Sequence, residues 1–331
     1  MSHPTPDLFF DTMQAYQRTA ALRAAIDLEL FTAIGEGATT IPAIAKRCAA
    51  PERGVRILSD YLTILGMLSK KGDAYQLTPE SAAFLDKRSP MYLGGIMEFM
   101  CAPAIVQVFD HLSATIRRGS VTAEESSVAE ENPVWETFAR AMVPMMMPAA
   151  QAIADILKSD GPQRVLDIAA GHGVFGIALA QRNPQSEVVA VDWAGVLKVA
   201  AENAAKMGVA ARHSGVPGDA FKVDWGKGFD VALMTNFLHH FDQATCTSLL
   251  RKTAASLETG GRVAVLEFVP NDDRVSPPMA ASFALQMLGG TPGGDAYTFR
   301  ELSAMLSAAG FSGTTQHPLQ GPETLIVGTK S

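Results

Sequence analysis

Cysteine is scarce. Cys48, Cys101 and Cys246 are the only three in 331 residues, far apart and in no Cys-x-x-Cys pair. That excludes a disulfide framework and a cysteine-built zinc site as organising features, and it points to a reducing, cytoplasmic setting. No uninterrupted apolar run reaches the ~20 residues of a membrane-spanning helix. The opening Met1-Ser-His-Pro-Thr-Pro has no basic segment followed by an apolar one, so neither a secretory leader nor a membrane partner is expected. Positive charge is not in excess either: 27 Lys and Arg against 34 Asp and Glu leave −7, which argues against a general affinity for nucleic acid. What the chain does have is apolar side chains, 47% of residues against 18% charged, and a length that suits about two packed domains.

One stretch organises the rest: Arg164-Val-Leu-Asp-Ile-Ala-Ala-Gly-His-Gly-Val-Phe-Gly176. A short apolar run, interrupted by Asp167, breaks at Gly171 and Gly173 and resumes as a helical pattern through Ile177 and Leu179. This reads as a buried parallel strand, a glycine turn and a helix. Such a turn lets the backbone approach a ligand and aims helix N-terminal amides at it. The spacing Gly171-x-Gly173-x-x-Gly176 also fits a dinucleotide loop, so the motif alone leaves the cofactor open between a nicotinamide and another nucleoside.

Before this stretch, residues 7–33 read as one or two amphipathic helices, ended by Gly35-Glu-Gly37. Thr40 caps a short helix and Pro51 starts another that runs to Gly66. Two short strands follow around Lys71-Gly72-Asp73. Three helices and a β-wing make a winged helix. Between Thr40 and Gly72 six basic residues face two acids, so a ligand-sensing DNA regulator is one reading; a dimerisation module with a solvated basic face is the preferred one, because so small a patch makes few phosphate contacts. Residues 80–160 are helical and rich in methionine, and Phe138 to Met147 can form core or an adaptable wall for a flat apolar substrate. Glu124–Glu125 and Glu130–Pro133 read as a solvated loop or helix start.

From Arg164 strands (164–170, 187–193, 210–216, 229–236, 261–269) alternate with helices (173–182, 195–208, 242–258, 298–309), which specifies an α/β fold with a mostly parallel sheet. The last two strands, at 311–319 and 324–330, have no helix between them, so the final strand runs antiparallel. Ligands of such sheets sit at the carboxyl ends of the strands. There stand Asp192, suited to the two hydroxyls of a ribose, and Asp219, suited to an adenine amino group. Asn236, the run Phe237-Leu-His-His-Phe-Asp242, and Glu267 stand there too. Several acids and no P-loop lysine suit a cationic adenosine cofactor better than a polyphosphate.

On these motifs the chain resembles the class I S-adenosylmethionine-dependent O-methyltransferases of the caffeic-acid, hydroxyindole and bacterial polyketide type. The matching segments are Val165–Gly173, Val191-Asp-Trp193, Gly218-Asp-Ala-Phe221, Asn236–Asp242 and Gly261–Glu267, in order along nearly the whole chain. The resemblance implies a winged-helix dimerisation domain over 1–100, a helical connector over 101–160 that contributes to the substrate pocket, and a Rossmann-like seven-stranded catalytic domain over 161–331. It implies S-adenosylmethionine as cofactor, a homodimer formed through the N-terminal domain, and a small hydroxylated acceptor, aromatic or polyketide-like. For the cofactor it implies Asp167, Gly171, Gly173, Asp192, Trp193, Asp219, Ala220, Phe221 and Asn236. His239 matches the catalytic base, with Glu267 beside it, and no metal is required. Phe138, Met142, Met146, His240 and Met287 are the candidate acceptor pocket. One position departs from the pattern: the second glutamate of the family falls in Gly294-Asp-Ala-Tyr-Thr298, where Ala296 replaces it, Tyr297 replaces the arginine, and Asp295 lies one residue early.

Overall fold

A computed structural model describes residues 3–122 and 134–331; the acidic stretches Glu124–Glu125 and Glu130–Pro133 lie outside the described residues. The chain divides into two compact units, Met1–Met97 and Glu98–Ser331.

In the first unit the 7–33 segment forms three helices rather than one or two: Asp7–Met13, Ala15–Asp27 and Leu30–Gly35. The last break comes at Glu29, whose left-handed backbone (φ 53°) no helix can continue through. Helices Ile41–Arg47 and Glu52–Ile64 follow, then an antiparallel pair, β1 (Leu68–Lys71) and β2 (Ala74–Leu77), joined by the two-residue turn Gly72-Asp73. Leu30, Phe31, Ile44, Val55, Leu62 and Tyr75 form its core. Thr40 occupies the cap position without a side-chain capping bond. Three bases of the basic segment are already in ion pairs, Arg47 with Glu29 and Glu36, and Arg56 and Lys70 with Asp60. Leu8, Phe9, Phe10, Met13 and Tyr16 on the first two helices are exposed.

The second unit is built on a seven-stranded sheet: β3 (Gln163–Ile168), β4 (Ser186–Asp192), β5 (His213–Pro217), β6 (Phe229–Thr235), β7 (Leu257–Phe268), β8 (Phe311–Pro318) and β9 (Glu323–Lys330). Their spatial order is β5-β4-β3-β6-β7-β9-β8. β3 to β7 pair parallel, while β9 inserts between β7 and β8 and is antiparallel to both. β3 and β6 are buried almost throughout because helices cover both faces. Leu166 and Ile168 of β3 join Ala232, Met234, Val263 and Val265 in one core face. Residues 210–212 form a 3-10 turn instead of opening β5, and β7 begins four residues earlier than the pattern suggested. One helix, Pro278–Gly290, has no counterpart among the expected elements. Among the described residues no helix is long and apolar enough to cross a membrane.

β3 and the helix Val174–Arg182 approach closely at Gly176. A Cβ there would lie 2.7 Å from Val188 Cγ1 and 2.9 Å from the Asp167 carboxylate, closer than packed atoms allow. Gly176→Ala is therefore expected to cost about 1–3 kcal/mol of stability in urea denaturation.

Candidate active site

The carboxyl ends of β3, β4, β6 and β7 converge on one edge of the sheet, where two backbones turn sharply. Ala169 after β3 and Asn236 after β6 both have left-handed backbones (φ 54° and 53°), unusual for residues other than glycine and concentrated at ligand sites. In the glycine loop Gly171 (φ 56°) and Gly173 (φ 73°) take the same conformation. A Cβ on Gly173 would sit 2.9 Å from that of Ala200, whereas one on Gly171 would meet only Phe138, at 3.7 Å. Gly173 is thus required by packing, and Gly171 leaves its surroundings open.

Asp167 is fully buried. One carboxylate oxygen accepts from the Gly176 N–H (3.1 Å), and the other is buried with no hydrogen-bond partner. Burial, and to a lesser extent the charge of Asp192, raise its pKa to about 8 against the lowering effect of the Gly176 bond. Asp192 accepts from the N–H groups of Gly171 (2.8 Å) and Trp193 (2.7 Å), and burial carries its pKa to about 6. Its own carbonyl accepts from the Gly218 N–H (2.9 Å), so the glycine loop, the end of β4 and the turn at 218–221 form one bonded unit.

Within that turn Asp219 accepts from the Phe221 N–H (2.8 Å) and pairs with Lys222 (3.0 Å). Ala220 is nearly buried. Phe221 is exposed and lies edge-on to Phe241, 5.0 Å between ring centres. The sequence reading missed Lys252. Its ammonium donates to the carbonyls of Ala220 (2.8 Å), Phe221 (3.1 Å) and Val223 (2.8 Å) and lies 4.1 Å from the Trp225 ring centre. No local motif announces a lysine that acts on a turn thirty residues away. Trp193 packs with Trp135 against Ala139, Val196 and Val199.

After β6 the chain enters a single 3-10 turn, Leu238–His240. Glu267 of β7 holds this turn. Its Oε1 accepts the N–H groups of Phe237 (3.1 Å), Leu238 (2.8 Å) and His239 (3.3 Å), and its Oε2 lies 2.5 Å from His239 Nδ1. With the carboxylate ionised, Nδ1 carries the proton and Nε2 is left with a free lone pair. His240 is half-buried, with its Nδ1 shut off from solvent and unpartnered; burial of the ring, and then neighbouring His239, push its pKa well below the ordinary histidine value, so it is neutral.

Aromatic rings connect the glycine loop to this histidine. His172 stacks on Phe138, Phe138 meets Trp135 edge-on, Trp135 meets His240, and the ring centres of His240 and His239 are 4.3 Å apart. Phe283, on the unanticipated helix, closes over His239 edge-on at 4.9 Å. His172 is also buried and its pKa falls to about 4 for that reason. Met146 places its sulfur 3.9 Å from the Asn236 amide nitrogen, while Met142, capping the helix Val143–Leu157, and Met287, in Pro278–Gly290, are buried.

Asp295 does not stand in for the missing glutamate. Its carboxylate pairs with Arg274 (3.2 Å) and is about 41% exposed. Ala296 is buried, the Tyr297 hydroxyl donates to the Phe241 carbonyl (2.5 Å), and Gly294 packs against the backbone of His239 and His240. Residues 294–297 therefore support the histidine turn from behind. A cavity of about 620 Å³ lies beside them, lined by Asp242, Leu285, Gly294, Asp295 and Tyr297 among others, and includes none of the expected site residues. Among the described residues no group of three or more His, Cys, Asp and Glu could hold a metal ion.

Residues 125–312 match the O-methyltransferase domain, and residues 10–87 match the dimerisation domain of O-methyltransferases. The chain belongs to the O-methyltransferase family. A curated relative, 3-hydroxy-5-methyl-1-naphthoate 3-O-methyltransferase of Streptomyces sahachiroi, is 27% identical over 98% of this chain and 96% of its own. The crystal structure of a proposed O-methyltransferase from Nostoc punctiforme is 48% identical, with a TM-score of 0.95 over 99% of this chain and all of that one. Human N-acetylserotonin methyltransferase in complex with S-adenosylmethionine shares the fold: 21% identity, TM-score 0.86, 100% and 99% coverage. The protein is accordingly a methyltransferase that uses S-adenosylmethionine, which excludes the nicotinamide reading of the glycine loop. The site suits that donor: Asp167 keeps an unpartnered oxygen, Asp192 offers a half-buried carboxyl, and Gly171 leaves its surroundings open.

Two measurements follow from this geometry. Lys252→Met should weaken binding of the demethylated cofactor about tenfold in calorimetry, because three charge-assisted bonds that hold the 220–223 turn are lost, with kcat at saturating donor little changed. Asp167 has a raised folded pKa, so its stabilising protonation is complete below its unfolded value near 4 and is lost as pH rises through about 8. Stability of the ligand-free protein should therefore fall between about pH 4 and 8, and Asp167→Asn should flatten that fall in urea melts at stepped pH.

Proposed function

We propose that the protein methylates a hydroxyl of a small aromatic or polyketide-like molecule, with His239 as general base. The observation that carries this reading is the Glu267 carboxylate fixing both the turn and the Nδ1 of His239, which leaves Nε2 free to take a proton. The bound donor supplies a methyl group already activated by positive sulfur, so the protein's task is alignment and proton removal. A phenol, with a pKa of about 10, is mostly protonated at neutral pH. As the acceptor oxygen takes up the methyl group, the hydroxyl proton would pass to Nε2 of His239. The charge that develops on the imidazole is balanced by Glu267, in a site dry enough for the pairing to count. Glu267 is a positioning and charge-balancing residue, and its second oxygen stays committed to the backbone.

Asp167, Gly171 and Gly173 would hold the methionine end of the donor. Asp192 would take the ribose, and Asp219, Ala220 and Phe221 the adenine, with Trp193 and Asn236 bordering them. Phe138, Met142, Met146, His240 and Met287 would wall the acceptor. The naphthoate relative supports a fused aromatic acceptor. The dimerisation domain, together with the exposed Leu8, Phe9, Phe10, Met13 and Tyr16, supports a homodimer formed through residues 1–100.

His239→Ala tests the base. We expect kcat with a naphthol acceptor to fall by about 10²–10⁴-fold while affinity for the demethylated cofactor stays within about threefold, since the base acts mainly in the transition state. Unchanged turnover would assign proton removal to another group.

A further inference from the structure

β9 runs antiparallel to its neighbours, so its first residue lies at the sheet edge where β6 and β7 end. That residue is Glu323, paired in register with Phe268, one position beyond Glu267. It is nine-tenths buried, and its Oε1 has no hydrogen-bond partner. Asn236, whose amide interacts with this carboxyl, likewise keeps a buried Oδ1 without a partner. Two unmet polar oxygens on interacting, shielded side chains are costly unless something meets them. They also lie within the electrostatic reach of the reacting pair, since Glu323 senses the charges of both Glu267 and His239.

We infer that Asn236 and Glu323 form a subsite for a second hydroxyl on the acceptor, neighbouring the one that is methylated. This rests on the methyl-transfer reading and narrows the acceptor to a polyhydroxylated aromatic. A hydroxyl fits because it both donates and accepts. It can donate to the Asn236 oxygen, which is an acceptor only, and meet the Glu323 carboxyl in either protonation state. Burial, and then the charge of Glu267, favour the neutral carboxyl, which donates in return, against the lowering effect of the Asn236 amide. Both oxygens are shielded from solvent, so the ligand must displace a cover. Met146, whose sulfur rests on the Asn236 amide, is the unbranched side chain suited to move aside.

The test is binding of 2-naphthol and 1-naphthol, and of 2,3- and 1,8-dihydroxynaphthalene, to the full-length protein saturated with the demethylated cofactor. At least one diol should bind about tenfold more tightly than its parent, the equivalent of one good hydrogen bond. In Glu323→Leu that ratio should fall to about one. Glu323→Gln, which keeps a donor and an acceptor, should retain most of it and guards against a folding defect. A ratio near one in the wild type, or a ratio unchanged in Glu323→Leu, would overturn the subsite, meaning the oxygens are met by buried water. A stronger response to 3-amino-2-naphthol than to the diol would replace hydroxyl by amine recognition. If no naphthol binds and none is methylated, the aromatic-acceptor reading fails, and the subsite fails with it.

Discussion

A single carboxylate, Glu267, receives three backbone N–H groups of one turn and the Nδ1 of His239. It is almost wholly buried, a position in which an ionised acid is very unfavourable unless donors surround it. The four donors offset that cost and at the same time remove the turn's freedom. Ring orientation, tautomer and the direction of the free Nε2 thus follow from one residue on β7. The segment 294–297 and Cys246, whose thiol donates to the Leu238 carbonyl, brace the same turn from the other side.

A second carboxylate does the equivalent at the other end of the site. Asp192 ties the glycine loop to the end of β4 through its side chain, and to the 218–221 turn through its carbonyl. Lys252 then holds that turn by three carbonyls. The ring chain from His172 through Phe138, Trp135 and His240 to His239 joins the two ends by packing rather than by polar bonds. Such a site is largely formed before any ligand arrives, which limits the entropy lost on binding.

Much of this arrangement was legible in the residues. The alternating pattern alone puts Asp192, Asp219, Asn236 and Glu267 at strand ends, beside the glycine turn at Gly171, and the structure brings them to one sheet edge. Other parts were not legible. The helix Pro278–Gly290 has only Ser282 and Gln286 as polar side chains and no charged face to mark its period. Phe283 therefore gave no signal, although it closes over the histidine. The extra helix break at Glu29 depends on one left-handed backbone, which sequence pattern does not encode for a glutamate.

The family resemblance singled out His239 and Glu267, while the sequence by itself determined the α/β class, the antiparallel last strand and the acids set at the strand ends. These depend on local periodicity and on residues fixed to strand ends, which survive any detail of packing. Only the tertiary structure decided what stands behind them. It paired Asp295 with Arg274, left Ala296 as packing, carried Lys252 to the 220–223 turn and brought Glu323 beside the end of β7. The physical reason is the same in each case. A side chain's partner is set by strand order and by the direction in which β9 enters the sheet, and these bring together residues that no spacing along the chain relates.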